Sequence, residues 1–382
     1  MKNERYKTIM LVLVCATEAG GAGNLVPIIE YSSDTTFMVY ADKGGIPIFS
    51  AAKLSYASCE FLSDRNNGKE AALRLLSKEK PDIILCGRTR VLGAERFLVI
   101  SARQLGIPSV VVIDEWFDYR YNFADDQNNL VHLPDLICCP DNMACKEAQN
   151  EGLPIDRLIA TGSPALSELM NEIEEFVVNE PDYPHWIGGT NSPLITFMSE
   201  THRLDYGEKI GGYGILGSYL GYDENSVRNE LIDVLSEINR PCTVVEKLHP
   251  SVVNNALSIP DIPNVIWHTV GGSTPLSLMW HSTLVIGMRS MALLQSALMG
   301  TPTASYQPNL IHKERCTAAR LNLIPSFRER SRMKEWMINH WEPANTGLNR
   351  IIVERPFFAT KEASRSVFEA MSTVDCKEAI LN

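Results

Sequence analysis

The sequence lacks long hydrophobic runs and clusters of basic residues. Its 382 residues carry a formal net charge of −11, and no segment concentrates Lys and Arg as a duplex-binding face would. No apolar run approaches the roughly 20 residues of a membrane-spanning helix, and no small-residue cleavage pattern follows the first apolar run. These absences predict a cytoplasmic protein that binds no nucleic acid.

Spacings typical of metal sites are also missing. The nine cysteines include no CxxC pair, and the adjacent Cys138 and Cys139 suit neither a zinc clamp nor an easy disulfide. Several cysteines stand in apolar runs, which favours buried, reduced thiols. We therefore expect no metal and no resident cofactor.

Two series of alternating strands and helices are present instead. Continuous β-branched runs separated by amphipathic stretches predict parallel sheets covered by helices on both faces. The Pro- and Gly-rich stretch 181–193 predicts a linker. The expected organisation is a first domain over 1–180, a second over 194–356, and a final helical segment over 357–382 that can pack back on the first domain.

In open parallel sheets, ligands bind beyond the carboxyl ends of the strands. The first strand is followed by the glycine-rich segment Gly20, Gly21, Gly23 and Asn24, whose backbone can approach a ligand closely. The segment has neither the full dinucleotide fingerprint nor a Walker lysine. It predicts a loop that lines a cleft, with a tight strand–helix turn as the alternative.

A second strand of this half runs into a loop that mixes carboxylates with aromatic rings. Asp114 and Glu115 are followed by Trp116, Tyr119 and Arg120. Such a mixture is typical of a carbohydrate site, where rings stack and carboxylates accept hydroxyl protons. A solvated loop is the alternative.

In the second half, three consecutive strand ends offer basic, hydroxyl and glycine residues that suit a phosphate. Helix N-termini at such ends attract anions through exposed N–H groups and the helix dipole. Glu200 and His202 follow the preceding strand and should border the same cleft. The candidate phosphate-binding residues are Lys247, His249, Pro250, Gly272, Ser273, Thr274, Arg289 and Ser290.

These motifs give the chain a resemblance to GT-B glycosyltransferases, most closely to bacterial surface-polysaccharide enzymes such as sialyl-, polysialyl- and Kdo-transferases and teichoic-acid polymerases. The matching pieces are 247–250, 286–290 and 295–302. The resemblance implies an α/β GT-B fold, with two Rossmann-like parallel-sheet domains facing across a cleft. It also implies that His249 contacts the donor phosphate and that Ser290 caps it.

The chain departs from its relatives at two points. The serine pair of the transferases is replaced by Arg289-Ser290, which counts against a CMP-linked donor and leaves a UDP-linked donor as the other candidate. UDP-N-acetylglucosamine 2-epimerases share the fold, but their Gln-Glu-Glu-Ala segment is replaced by Gln295-Ser296-Ala297, which disfavours that reaction. The absence of an Asp-x-Asp motif agrees with metal-independent GT-B chemistry.

The resulting hypothesis is a glycosyltransferase that moves a sugar from a nucleotide sugar to a hydroxyl group of a glycan or glycolipid-like acceptor. Asp114 or Glu115, with Glu18 in reserve, would deprotonate the acceptor, while Lys247, His249 and Arg289 would stabilise the leaving phosphate. The alternatives are a nucleotide-sugar epimerase or hydrolase, and a non-catalytic sugar-nucleotide-binding protein. The basic, apolar segment 328–341 predicts a packed surface helix, or else a peripheral membrane contact.

Overall fold

The computed structural model of the chain describes residues 10–89, 92–187, 192–249, 252, 258–272, 276–342 and 352–378. The chain divides into two compact units. Unit 1 comprises residues 1–171 together with 355–382, and unit 2 comprises residues 172–354. The division at 171/172 falls inside a helix, some ten residues before the stretch 181–193 that the sequence predicts as a linker.

Unit 1 is built on a seven-stranded sheet in which every neighbouring pair is parallel. The strand order is β3-β2-β1-β4-β5-β6-β7. The chain therefore changes direction across the sheet between β1 and β4. The strands are β1 (Leu11–Ala16), β2 (Thr36–Ala41), β3 (Ala57–Ser58), β4 (Ile83–Gly87), β5 (Ser109–Val112), β6 (Leu136–Cys139) and β7 (Leu158–Ala160).

Helices connect these strands and cover the sheet, because strands buried on both faces need apolar partners on each side. α7 begins in unit 1 and contains the division between the units, and α14 returns the chain to unit 1. The helices are α1 (Ala19–Tyr31), α2 (Gly45–Ala51), α3 (Gly68–Glu79), α4 (Ala94–Leu105), α5 (Tyr119–Phe123), α6 (Asn142–Asn150), α7 (Pro164–Val178) and α14 (Ala363–Glu378).

The core of unit 1 combines residues from both ends of the chain. Strands β1, β4 and β5 contribute continuous buried runs. α14 adds Val367, Ala370, Met371 and Val374 to the same cluster, beside Leu25 and Ile28 of α1. The C-terminal helix is thus part of the unit 1 core.

Unit 2 repeats the design with a six-stranded parallel sheet of order β10-β9-β8-β11-β12-β13. The direction changes between β8 and β11. The strands are β8 (Leu194–Met198), β9 (Cys242–Lys247), β10 (Val265–Val270), β11 (Leu284–Gly287), β12 (Thr303–Tyr306) and β13 (Ser326–Phe327). The helices are α8 (His202–Tyr206), α9 (Glu224–Ile238), α10 (Leu276–His281), α11 (Met291–Leu298), α12 (Thr317–Arg320) and α13 (Arg330–Asn339).

The helices of unit 2 begin where the sequence supplies caps. Asp223 accepts a hydrogen bond from the backbone N–H of Ser226, and Ser226 Oγ contacts the backbone of Asp223, which closes a capping box at the start of α9. Ser290 Oγ accepts from the N–H of Ala292 and caps α11. The ends of the strands and starts of the helices are therefore locally specified.

The predicted fold class is confirmed at the level of two parallel-sheet, Rossmann-like units. In the part of the chain that the structure describes, no helix is both long and apolar enough to cross a membrane. The segment predicted as a surface helix is α13. It buries Met333 and Met337, and its Arg330 and Lys334 form ion pairs with Asp233 and Glu237.

Candidate strand-end sites

Each unit gathers charged side chains at the point where its sheet reverses direction. Ligands of open α/β sheets bind at such switch points, beyond the carboxyl ends of the strands. In unit 1 these side chains follow β1, β4 and β5. In unit 2 they follow β8 and β11.

The centre of the unit 1 cluster is Arg88, which directly follows β4. Its side chain is 3% exposed, and Nε lies 2.6 Å from Asp114 Oδ1. Nη2 lies 3.2 Å from Glu115 Oε2 and 3.6 Å from Glu18 Oε2. One guanidinium therefore holds the three carboxylates that the sequence predicts as catalytic candidates, and we call these four residues the Arg88 cluster.

The cluster carries more negative than positive charge. Burial by itself would lower the pKa of Arg88, but the charges of Asp114, Glu115 and Glu18 outweigh burial and raise it. The guanidinium consequently stays charged, and one of its nitrogens, Nη1, is buried without a hydrogen-bond partner among the described residues. The side chains of Asp114, Glu115 and Glu18 are 12%, 17% and 33% exposed, so the carboxylates reach solvent while the arginine does not.

Glycines bring the backbone close to this cluster. A Cβ atom on Gly20 would lie 1.9 Å from Asp114 Oδ2, and one on Gly21 would lie 3.1 Å from the Cα atom of Gly87. A side chain at 20 would therefore displace the Asp114 carboxylate, and one at 21 would press against the backbone of β4. The glycines set the helix–strand spacing that places Asp114 against Arg88.

Glu95, in the first turn of α4, lies beneath the same strand ends. Its Oε1 accepts hydrogen bonds from the backbone N–H and the hydroxyl of Thr17, at 2.6 and 2.7 Å. Its Oε2 is buried with no partner in the described structure. Burial raises the pKa of Glu95 to about 7, against the opposing effect of the Thr17 bonds. Glu95 is thus a buried acid that titrates near neutral pH.

The glycine-rich segment is helical. Gly20, Gly21, Gly23 and Asn24 all belong to α1, although the sequence predicts a cleft-lining loop there. Asn24 is 2% exposed, and its Oδ1 accepts from Ser163 Oγ and from the N–H of Ala165. Asn24 therefore fixes the start of α7, and only the first glycines approach the Arg88 cluster.

The aromatic part of the predicted acceptor site lies in the interior. Trp116 and Tyr119 are both 0% exposed, and Trp116 donates from Nε1 to Asp141 Oδ2 at 2.8 Å. Tyr119 donates to Glu147 Oε2 at 3.1 Å. Their polar atoms have protein partners and their faces are packed, so neither ring presents a surface for a sugar, contrary to the expectation from sequence.

Arg120 has a structural environment of its own. Its guanidinium donates to the side chain and the backbone oxygen of Asn128 and to the backbone oxygen of Glu151. These bonds tie α5 to the loop after it and to the end of α6. The structure therefore separates Arg120 from Asp114 and Glu115, which the sequence groups with it.

In unit 2, the carboxylate of Glu200 occupies the start of α11. Its Oε1 accepts from three consecutive backbone N–H groups, those of Met288 at 3.2 Å, Arg289 at 2.7 Å and Ser290 at 2.9 Å. These are the N–H groups that the sequence predicts as a phosphate cradle. The positive end of the helix is therefore neutralised by a residue of the chain itself, for the electrostatic reason that would attract a phosphate.

His202 and Arg289 complete this arrangement. His202 Nε2 lies 2.9 Å from Glu200 Oε2 and 3.2 Å from Arg289 Nε. The guanidinium carbon of Arg289 lies 4.3 Å from the centre of the Tyr206 ring. Burial would raise the pKa of Glu200, but His202 and the N–H donors outweigh it and lower the pKa to about 2.

Lys247 is an internal residue rather than an open phosphate ligand. It is 2% exposed, and its ammonium group donates to the backbone oxygens of Leu248 at 2.7 Å and Gly272 at 2.6 Å. It thereby ties the end of β9 to the turn after β10. Burial lowers the pKa of the adjacent His249, which favours a neutral imidazole. Pro250, Ser273 and Thr274 lie outside the described residues.

Arg88 and Glu95 are the residues that sequence reasoning missed. Arg88 stands at the carboxyl end of β4 and Glu95 in the helix after it. The strand-end rule that selected Asp114 could therefore have selected them too. Within the described residues, no group of three or more His, Cys, Asp or Glu side chains is arranged to hold a metal ion.

Comparison with known proteins yields structural neighbours only. No family model matches the chain, and no curated protein matches it in sequence. The UDP-GlcNAc 2-epimerase of Neisseria meningitidis, solved with UDP-GlcNAc bound, superposes with a TM-score of 0.63 at 15% identity over 95% of this chain and 100% of its own. A putative UDP-N-acetylglucosamine 2-epimerase from Listeria monocytogenes gives a TM-score of 0.65 at 11% identity over 96% of each chain.

A glycosyltransferase is also among the neighbours. The glycotransferase of kitacinnamycin gives a TM-score of 0.52 at 13% identity, over 98% of this chain and 99% of its own. At such low identities the likeness shows the fold alone. The fold is of the GT-B type, as the sequence predicts.

Proposed function

We propose that this protein acts on a UDP-sugar of the UDP-GlcNAc type without a separate acceptor, in the manner of a 2-epimerase. The observation that carries the proposal is the Arg88 cluster, in which three partly exposed carboxylates converge on one buried guanidinium. The support from the neighbours is that two of them are named as UDP-GlcNAc 2-epimerases. This proposal departs from the transferase hypothesis drawn from the sequence.

The chemistry of epimerisation explains why several carboxylates would be useful. Inversion at C2 removes a proton from one face of the carbon, and the electron pair of the C2–H bond forms a C1–C2 double bond as the C1–O bond breaks and UDP leaves. A proton then returns to the opposite face of C2 while UDP adds back at C1, so that all atoms of the sugar nucleotide are conserved. Two acid–base groups on opposite sides of one atom meet this need, and carboxylates are suited to it. Asp114, Glu115 and Glu18 are the proposed groups, and Arg88 orients them. His249 is proposed as a ligand of the UDP phosphates.

The acids that 2-epimerases carry in the corresponding segment are missing from α11 of this chain. Ser296 is buried and bonded to Thr303 Oγ1 at 2.7 Å, and Ala297 is buried beside it. No acid stands at these two positions, where the 2-epimerases carry a pair of glutamates. If the chain is an epimerase, its acid–base groups must come from elsewhere, and the Arg88 cluster supplies carboxylates.

The test incubates the purified protein with UDP-GlcNAc in D2O, with no acceptor, and follows the sugar by proton NMR. We expect deuterium at C2 and signals of the C2 epimer. Asp114→Asn and Glu115→Gln should each lower the rate at least about 100-fold, the usual scale of a lost acid–base group. Asp42→Asn, which changes a carboxylate at the end of β2, is the matched control and should keep its activity.

Glycosyl transfer is the second candidate, because the paired acids of the epimerases are absent from α11 and a glycosyltransferase shares the fold. It predicts a different result in the same tube. UDP-GlcNAc would keep its C2 hydrogen and would be consumed only after a hydroxyl acceptor is added. If UDP-GlcNAc and a panel of acceptors all remain unchanged, neither reaction belongs to this protein.

A further inference from the structure

A cavity in unit 2 lies beside Arg289. It has a volume of about 130 Å³, roughly the share of four water molecules in liquid water. That space suits one phosphate group. Its lining residues come from α8, the loop after it, the start of α11 and the loop after β12.

The polar lining of this cavity is basic. Arg289, His312, Lys313 and Arg315 all line it, and none of its described lining residues is acidic. Two carboxylates lie close by and both have partners. Glu200 binds the start of α11 and His202, and Glu314 binds Arg328 and Gln307. The charged side chains that line the cavity itself are therefore all basic, which favours an anion as its ligand.

The floor of the cavity is a chain of hydrogen bonds. Tyr222 donates its hydroxyl to Gln307 Oε1 at 2.9 Å. Gln307 Nε2 donates in turn to Ser305 Oγ and to Glu314 Oε1, both at 2.7 Å. Tyr222 and Gln307 are each 1% exposed. Because every member of this chain has a partner, the floor is held in one arrangement before any ligand arrives.

The walls are fastened to each other as well. His312 Nε2 lies 3.0 Å from the backbone oxygen of Tyr219, and the N–H of Ile311 donates to the oxygen of Leu220 at 3.0 Å. At Gly221, φ is +102°, and a Cβ atom would lie 2.0 Å from the oxygen of Asn309. Only glycine allows this approach, so the two loops form one preformed wall.

We propose that this cavity is a binding site for a phosphate group of a small phosphorylated molecule, held by Arg289, Lys313 and Arg315. Planar guanidinium groups and an ammonium group are the side chains that bind phosphate oxygens through charge-assisted hydrogen bonds. The site uses the side chain of Arg289 and not the backbone N–H groups at the start of α11, where Glu200 already takes the place of an anion. It also goes beyond the proposed function, whose acid–base groups lie in unit 1.

The experiment measures binding of inorganic phosphate and pyrophosphate to the full-length protein by titration calorimetry at low salt. Lys313→Met and Arg315→Met should each weaken binding of the better ligand about tenfold or more, the loss expected for one charge-assisted bond. Lys313 is exposed, so its variant tests the site without a risk to folding. Lys209→Met changes an exposed lysine of the loop after α8 that does not line the cavity, and it should bind within about twofold of the parent.

Two results would overturn the proposal. One is that the parent protein binds neither anion. The other is that Lys209→Met loses as much affinity as Lys313→Met, which would assign the binding to the general charge of the surface. Since turnover of UDP-GlcNAc is not the readout, the proposed reaction can fail while this site stands, and the reverse also holds.

Discussion

Glu95 shows how one buried carboxyl group can set a pH dependence. Its pKa is raised by burial to about 7 in the folded protein, against 4.5 for an ordinary glutamate. Between these values the unfolded chain releases a proton that the folded chain retains. Stability must therefore fall as pH rises through this window, by an amount on the order of 3 kcal/mol at most.

We predict that Glu95→Gln removes this loss, because glutamine has no proton to release. Urea unfolding at pH 5 and at pH 7.5 measures the effect. Between pH 5 and pH 7.5 the parent should lose more stability than the variant does. Glu70→Gln, at an exposed position of α3, should retain the parent's slope. Equal slopes in Glu95→Gln and the parent would contradict the raised pKa.

Glu200 has the opposite perturbation. Burial favours its protonated form, but His202 and the N–H groups at the start of α11 lower its pKa to about 2. The resulting stability is present above the unfolded pKa near 4.5 and is lost as pH falls toward 2. Glu200→Gln should therefore cost about 2–4 kcal/mol at pH 7 through the broken buried pair.

Chemical denaturation at pH 7 and at pH 3 checks this second prediction. The difference between Glu200→Gln and the parent should shrink as the pH falls, because the parent loses the same interaction by protonation. Glu335→Gln changes an exposed glutamate of α13 and should leave stability unchanged at pH 7. A constant difference across the pH range would mean that the charge of Glu200 is not what stabilises the fold.

At the scale of elements, α1 is a helix although its glycine-rich sequence predicts a loop. Glycines weaken an isolated helix by about 1 kcal/mol each relative to alanine. Gly20 and Gly21 are needed in this helix because Asp114 and Gly87 lie close to where the Cβ atoms of other residues would be. Packing against the sheet therefore outweighs intrinsic propensity.

We predict that Gly20→Ala keeps the fold but disconnects Asp114 from Arg88. Alanine improves the helix, while its Cβ atom occupies the place of Asp114 Oδ2, so the short carboxylate must rotate away. The melting temperature should change little, and turnover of the substrate should fall nearly as far as in Asp114→Asn. Gly23→Ala is the matched control, since a Cβ atom there meets only the Cβ of Ala165 at 3.8 Å. Full activity in Gly20→Ala would separate Asp114 from the reaction.

From the sequence, the positions of strands could be predicted more closely than those of helices, and the contacts of the candidate site least closely. The strands β6 (136–139), β8 (194–198) and β11 (284–287) are runs of largely apolar residues in the sequence, as is typical of a parallel strand buried on both faces. The carboxyl-end rule located Asp114, Glu115, Glu200 and Arg289. It could not say that Glu200 would fill the start of α11, since that contact joins residues 88–90 positions apart in the chain.

The aromatic residues after β5 show the other limit. Trp116 and Tyr119 follow a strand in a polar context, and their polar atoms leave the sequence open to either burial or exposure. The deciding partners are Asp141 and Glu147, from the start and the body of α6. Partners so distant in sequence are fixed by the tertiary fold, which local pattern does not determine.

At the scale of the whole molecule, the chain completes unit 1 only after it has built unit 2. The segment after residue 354 returns to unit 1, where the N–H of Ser163 donates to the backbone oxygen of Phe358 at 2.7 Å. The ring of Phe358 packs against Trp116 with centroids 5.5 Å apart. Unit 1 therefore depends on the last residues of the chain for its core.

This dependence predicts that damage to α14 destabilises unit 1 selectively. Met371 is fully buried in the unit 1 core, so Met371→Ala should cost about 2–5 kcal/mol of the stability of that unit. Hydrogen exchange read by mass spectrometry resolves the two units in one experiment. Peptides of β1, β4 and α1 should exchange faster, while those of β8 and β11 should not, because they belong to a separate core. The neighbouring Ser372→Ala, at an exposed position, should exchange like the parent; faster exchange throughout both units in Met371→Ala would show instead that the two cores unfold as one.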